Sequence, residues 1–163
     1  MEQKLITLKN GQIKAVYEYF IDQLSKDGKN AAFSYMIYKN TEILADRYKD
    51  IAQNIYNEQA DTAIQEYISK ARKLLTDYAD RDEQGEVIVD KQGAPKITEQ
   101  IVEYKTESDK LAEEYKTALD NRNAKIQESI QLLETTYEFN LYVIPIDSFP
   151  NDTAPAVVGM FGI

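Results

Sequence analysis

The chain has 163 residues, 19 Lys and Arg against 28 Asp and Glu, a net charge of −9, and neither cysteine nor histidine. That length allows one domain with a real core, and so acidic a balance argues against nucleic acid and anionic membrane surfaces, which need clustered basic residues. Without Cys or His, structural zinc, thiol redox chemistry, Cys–His or Ser–His catalysis and imidazole acid–base work are excluded.

The absence of cysteine suits a reducing cytoplasm. The start "MEQKLITLKNG" lacks the apolar core of a signal peptide. No apolar run approaches the ~20 residues of a membrane span. A cytoplasmic protein is expected.

In chain order, "KLITLK" (4–9) alternates and reads as a strand. Asn10 is placed to cap the helix that follows, and Ile13, Val16, Tyr17, Phe20, Ile21 and Leu24 recur at helical spacing. "SKDGKN" (25–30) breaks that helix. From Ala31 to about Ala79 there is neither Pro nor Gly, and the pattern predicts one helix of roughly 70 Å. Its apolar stripe runs Phe33, Ile37, Leu44, Tyr48, Ile51, Ile55, then Ala60, Ile64, Tyr67, Ala71, Leu74, Tyr78; the slip between Ile55 and Ala60, at "YNEQAD", reads as a local irregularity.

"YADRDEQGEVIVDK" (78–91) opens like an EF-hand loop, with Asp80, Asp82 and Gln84 alternating before Gly85. The twelfth position, which calcium needs as a bidentate Glu, is Lys91. The stretch therefore reads as a turn, "EVIVD" as a strand and "KQGAP" as a second turn, with Thr98 capping a third helix to about Tyr137. "FNLYVIPI" (139–146) reads as a strand, "DSFPNDTAP" as a loop and "AVVGMFGI" as one helical turn. No internal repeat is apparent.

The expected fold is a single, mainly α domain. A long antiparallel helical hairpin (stalk, 44–136) carries a short β-turn tip (80–97), and a small head of one helix and one or two short strands comprises 1–43 and 137–163. The apolar surplus of such a stalk suggests self-association.

Arg122 stands on the apolar stripe of the third helix, inside "DNRN". With Tyr78 opposite Ile101 it faces Asn57 and Glu58, where the second helix slips. It reads either as an Arg–Glu pair fixing helix register or as a ligand layer aimed at a phosphate or carboxylate. The twelve tyrosines mostly read as core. The minority reading is a base-stacking site with Arg47 beside Tyr48, or Arg72 beside Lys73. Glu99, Glu103 and Glu107, like Glu113–Glu114, read as a solvated helix face. The apolar tail residues Val157, Val158, Met160, Phe161 and Ile163 either pack on the head or form an interface with another chain.

A "LKNG" start into an amphipathic helix, a long helix ending in "YADRDEQGEV", a further helix, an apolar strand and "PIDSFPND" before a short apolar tail are found together here. That order resembles small helical proteins of bacteriophages and prophages, grouped as families of unknown function, although this second helix is longer than their usual form. The resemblance implies a phage accessory protein and carries over no functional residue. The expected function is non-enzymatic: a helical homo-oligomer without a cofactor, acting by binding a host or virion protein. The alternatives are a sponge sequestering a nucleotide immune signal and a virion or tail assembly component.

Overall fold

The computed structural model describes residues 2–26, 30–150, 153 and 155–162. The protein is mainly helical, with one two-stranded antiparallel sheet. In chain order come β1 (Gln3–Lys9), α1 (Asn10–Leu24), α2 (Ala31–Asn54), α3 (Thr62–Asp77), α4 (Ile101–Glu114), α5 (Lys116–Glu134), β2 (Thr136–Tyr142) and α6 (Pro155–Phe161). Single 3-10 turns occupy Glu58–Ala60 and Ile146–Ser148. The chain forms two compact units, one of residues 1–55 with 128–163 and the other of residues 56–127. No helix among the described residues is long and apolar enough to cross a membrane.

In the first unit, β1 and β2 pair in register from Gln3↔Tyr142 to Lys9↔Thr136. Alternation turns Ile6, Leu8, Phe139 and Leu141 to one face, which meets Ile13, Val16 and Phe20 of α1 and Phe33, Ile37, Leu44 and Ile51 of α2 in one cluster. Phe20, Phe33 and Phe161 are completely buried, and each side chain of that size contributes about 1.5–3 kcal/mol. Ile21, expected on the stripe of α1, is exposed.

Buried amides lock this unit together. Asn10 does not cap α1. Lys9 occupies the cap position, and its N–H donates to Gln12 Oε1 at 2.9 Å. Asn10 instead lies fully buried in the first turn, donating from Nδ2 to the Leu132 carbonyl and accepting from Arg47 Nε at 3.0 Å. Asn40, also fully buried, donates to the Tyr142 carbonyl at 2.9 Å and accepts the Tyr142 N–H at 2.7 Å. Its primary amide thereby takes the place of a third strand on the outer edge of β2. Beyond β2, Ile144 N–H donates to the Phe161 carbonyl, tying the tail helix to the same edge. Gly162 is needed there, since a Cβ would stand 2.6 Å from the Val158 carbonyl oxygen.

The expected continuous helix over 31–79 is two helices. Ile55 is extended, Asn57 Oδ1 accepts the Gln59 N–H, and Asp61 Oδ1 accepts the Ile64 N–H to cap α3. Two Asx side chains competing for main-chain donors end one helix and start the next; propensity read only as an absence of Pro and Gly misses this. The expected third helix is likewise divided at Tyr115 and ends at Glu134 rather than Tyr137. Thr98 is not its cap: α4 begins at Ile101 after Gln100.

In the second unit α3 packs on α4, with ring centroids 6.2 Å apart for Tyr78–Tyr104 and 5.7 Å for Tyr67–Tyr115, the latter pair reaching the break after α4. Neither α4 nor α5 contains a fully buried residue, and α3 contains only Ile64.

Candidate functional site

The most regular construction in the second unit is the segment between α3 and α4. Asp82 Oδ1 accepts the N–H groups of Gln84 (3.0 Å) and Glu86 (2.9 Å), and Gly85 N–H returns to the Asp82 carbonyl at 2.9 Å. Eight residues on, Asp90 Oδ1 accepts Gln92 (2.8 Å) and Ala94 (2.9 Å), and Gly93 N–H returns to the Asp90 carbonyl at 3.1 Å. Gly85 and Gly93 share a left-handed backbone, φ 84° and 81°, which a β-carbon disfavours. "DEQG" and "DKQG" are thus one turn made twice, closed by the bridges Arg81↔Val87 and Val89↔Pro95.

The same spacing organises the base of the turns. Ile88 N–H donates to the Asp80 carbonyl (2.8 Å), Lys96 N–H to Ile88 (2.9 Å) and Asp80 N–H to Lys96 (2.8 Å), a closed ring of three main-chain bonds. A third copy of the pattern, "TEQ" at 98–100, ends in Ile101 where the others have glycine, and there α4 begins. Asp80 clamps this third arm: its carboxylate accepts the Thr98 hydroxyl, the Thr98 N–H (3.0 Å) and the Glu99 N–H (3.4 Å). The Thr98 hydroxyl bond, followed by the Thr98 N–H, holds the Asp80 carboxyl below its ordinary value. The expectation of no internal repeat is therefore corrected. The repeat lies in polar turn residues at a period of eight, which a search for apolar periodicity passes over. The carboxylate oxygens that an EF-hand would offer are turned onto main-chain donors instead, and no group of His, Cys, Asp or Glu that could hold a metal occurs among the described residues.

Arg122 meets Glu58, as the helix register predicts: Nε and Nη2 both contact Glu58 Oε2, with both side chains half-buried. Beside them Lys125 stands 3.4 Å from Asp61 Oδ2 and 5.4 Å from the Tyr56 ring centre, and the Tyr56 hydroxyl donates to Asp61 Oδ2 at 3.1 Å. Burial pushes the Asp61 carboxyl up, but the Ile64 N–H, the Tyr56 hydroxyl and Lys125 outweigh it and the net shift is downward. Partial desolvation first, then the bond to Asp61, raises the Tyr56 hydroxyl. In this layer Arg122 and Lys125 both face carboxylates of their own unit.

Between α3 and α4 lies a groove of about 440 Å³ lined by Lys70, Lys73, Lys110, Leu74, Leu111 and three carboxylates, Asp77, Glu107 and Glu114. Lys70 bridges Glu66 and Glu114, and Lys110 pairs with Glu107. Lys73 has no ion-pair partner among the described residues. Arg72 is exposed on the neighbouring turn and does not line the groove.

The remaining sequence candidates belong to the first unit. Arg47 is engaged on three sides, by Asn10, Asp50 and the Tyr137 ring 3.9 Å away. Tyr48 stacks on Tyr17, 4.1 Å between centroids and 13° between planes, and its hydroxyl donates to Glu18. In the tail, Phe161 is buried with its ring 5.3 Å from Phe20, Val157 and Met160 pack against the core, Val158 is half-buried, and Ile163 lies outside the described residues. Asn40 and Asp90 were not singled out from sequence, and Asn10, Asp80 and Asp82 were read there in other roles, as a helix cap and as the start of an EF-hand-like loop; the turn role of Asp82 and Asp90 carries a signal in the sequence, its repeat.

No family model, no curated protein and no solved structure matches the chain.

Proposed function

We propose that this chain is a non-enzymatic phage accessory protein, acting in the host cytoplasm as a helical homo-oligomer that binds a host or virion protein. The phage origin rests on the order of sequence features alone. The observation that supports action by binding is the construction of residues 56–127. Their helices α3 and α4 meet through half-buried side chains, with no buried residue in α4. Large apolar side chains stand in solvent on the turns and the start of α4: Ile88, Val89, Ile101 and Val102, the last 70% exposed. Exposed apolar groups concentrated beside a rigid double turn are suited to a protein partner. In the same reading, α3 and α4 continue as a helical hairpin with the 80–97 segment as its tip, and that tip is the contacting element. A Val89→Asp, Val102→Asp variant tests it: helicity and melting temperature are retained while binding to the phage's own virion proteins or host targets is lost. Binding unchanged by both charges would reject the tip.

One observation favours the second reading, sequestration of a nucleotide signal: the α3–α4 groove joins the free ammonium of Lys73 to an apolar floor at Leu74 and Leu111. A ligand held only by the folded state raises the melting point. A panel of mono-, di- and cyclic nucleotides that shifts wild type but not Lys73→Ala would establish it, and no shift across the panel would remove it.

A further inference from the structure

The two outer edges of the β1–β2 sheet are treated differently. On β2, the Asn40 amide occupies both main-chain groups of Tyr142, and the Phe161 carbonyl takes Ile144 N–H. Since Tyr142 turns its N–H and C=O outward to Asn40, it and Gln3 form a non-hydrogen-bonded pair, and Val143 N–H donating to the Glu2 carbonyl fits that alternation. It follows that Gln3, Leu5 and Thr7 direct their main-chain groups away from β2. No strand pairs with that edge among the described residues. All three residues are exposed, and Leu5, at the centre, is 62% exposed.

We propose that β1 is the seam of a homodimer, in which two copies pair antiparallel to make a four-stranded sheet with Leu5 against its own counterpart. This deepens the homo-oligomer reading above and rests on it. In that register Gln3 faces the second copy's Thr7, so all three free residues of each copy exchange hydrogen bonds, about six in total. The exposed Leu5 is covered by the equivalent leucine. A shift of one residue sets Leu5 against Lys4 or Ile6 of the second copy, whose main-chain groups are already bonded to β2. A shift of two toward the N-terminus sets Lys4 directly against Lys4, which like charge disfavours.

The self-complementary register selects a second copy as the occupant. The chain carries −9 in all, so two copies repel over most of their surface. β1, "QKLITLK", has two lysines and no acid, with Lys9 already paired to Glu134. It is the place where two acidic chains approach at low cost. Natural edge strands that must stay single are blunted by proline, bulges or charged side chains, lysine among them; β1 has neither proline nor bulge, and of its two lysines Lys9 is held by Glu134.

The absence of cysteine in the chain makes the register directly readable. Under mild oxidation Leu5→Cys should give a covalent dimer, Thr7→Cys alone should not, and a mixture of Gln3→Cys with Thr7→Cys should. Leu5→Pro removes an N–H that points away from β2, so the monomer keeps its helicity and sedimentation shows one-chain mass where wild type shows two. A wild type that stays monomeric through the micromolar range overturns both the seam and the homo-oligomer reading. A dimer that survives in folded Leu5→Pro, or a cross-link from Thr7→Cys alone, overturns the seam and leaves that reading standing. If Leu5→Pro loses helicity, the cysteine pattern decides.

Discussion

The Asn40 amide gives the sharpest test of how the first unit is held. Replacing it in Asn40→Ala removes two hydrogen bonds, to the Tyr142 N–H at 2.7 Å and to the Tyr142 carbonyl at 2.9 Å, from a side chain with no solvent exposure. Leaving a buried donor or acceptor unpaired costs about 1–3 kcal/mol. Two such groups, with a small cavity added, should cost about 2–5 kcal/mol, or roughly 5–20 °C in melting temperature for a chain of this size. Asn40→Asp discriminates the mechanism, because a carboxylate accepts the Tyr142 N–H but repels its carbonyl. It should be destabilised at neutral pH and partly recover as acid protonates the new carboxyl and restores a donor. Thermal and urea melts followed by circular dichroism measure both variants. A loss below about 0.5 kcal/mol in Asn40→Ala, the scale of an ordinary surface substitution, would refute the claim that this amide closes the sheet edge.

Three further outcomes are expected. Arg122→Leu should keep or slightly raise the melting temperature, because a half-exposed ion pair contributes only about 0–1 kcal/mol; a large loss would show Arg122 to be essential to the packing of its unit. Calcium and a chelator should leave the melt unchanged, since Asp82 and Asp90 are spent on their own turns; a rise with calcium would reject that assignment. Asp80 has a folded-state pKa below its unfolded one, so its contribution is present above the unfolded value of about 3.9 and is lost as pH falls through the folded one. Wild type should accordingly exceed Asp80→Asn in stability at neutral pH and converge with it in acid, read as the pH dependence of their melting temperatures; a difference that persists or grows in acid would reject the clamp.

The legible parts of the fold were those written in apolar spacing. Phe33, Ile37, Leu44 and Ile51 declare the buried face of α2, and "KLITLK" declares β1, because burial of one face imposes a period that hydropathy reports. Arg122 opposite Glu58 was also accessible, since two irregularities at one height constrain each other. What stayed hidden depends on single polar atoms. Nothing in the sequence marks Asn40 as the closing group of a strand over a hundred residues away, or Asn10 as buried rather than capping. The break at 55–61 follows from which donors Asn57 and Asp61 reach, and the tip from two Asx turns whose repeat has no apolar component. The tail illustrates the remaining ambiguity: "AVVGMFGI" is apolar whether it packs or docks, and only the position of Phe161 against Phe20 shows that at least this ring is spent on its own unit.

The proposed function requires that the chain associate with itself as a homo-oligomer. Sedimentation equilibrium of the purified full chain over a micromolar concentration series tests it most directly. A homo-oligomer gives a mass that rises reversibly from one chain to two; the mass of a single chain at every concentration would refute self-association.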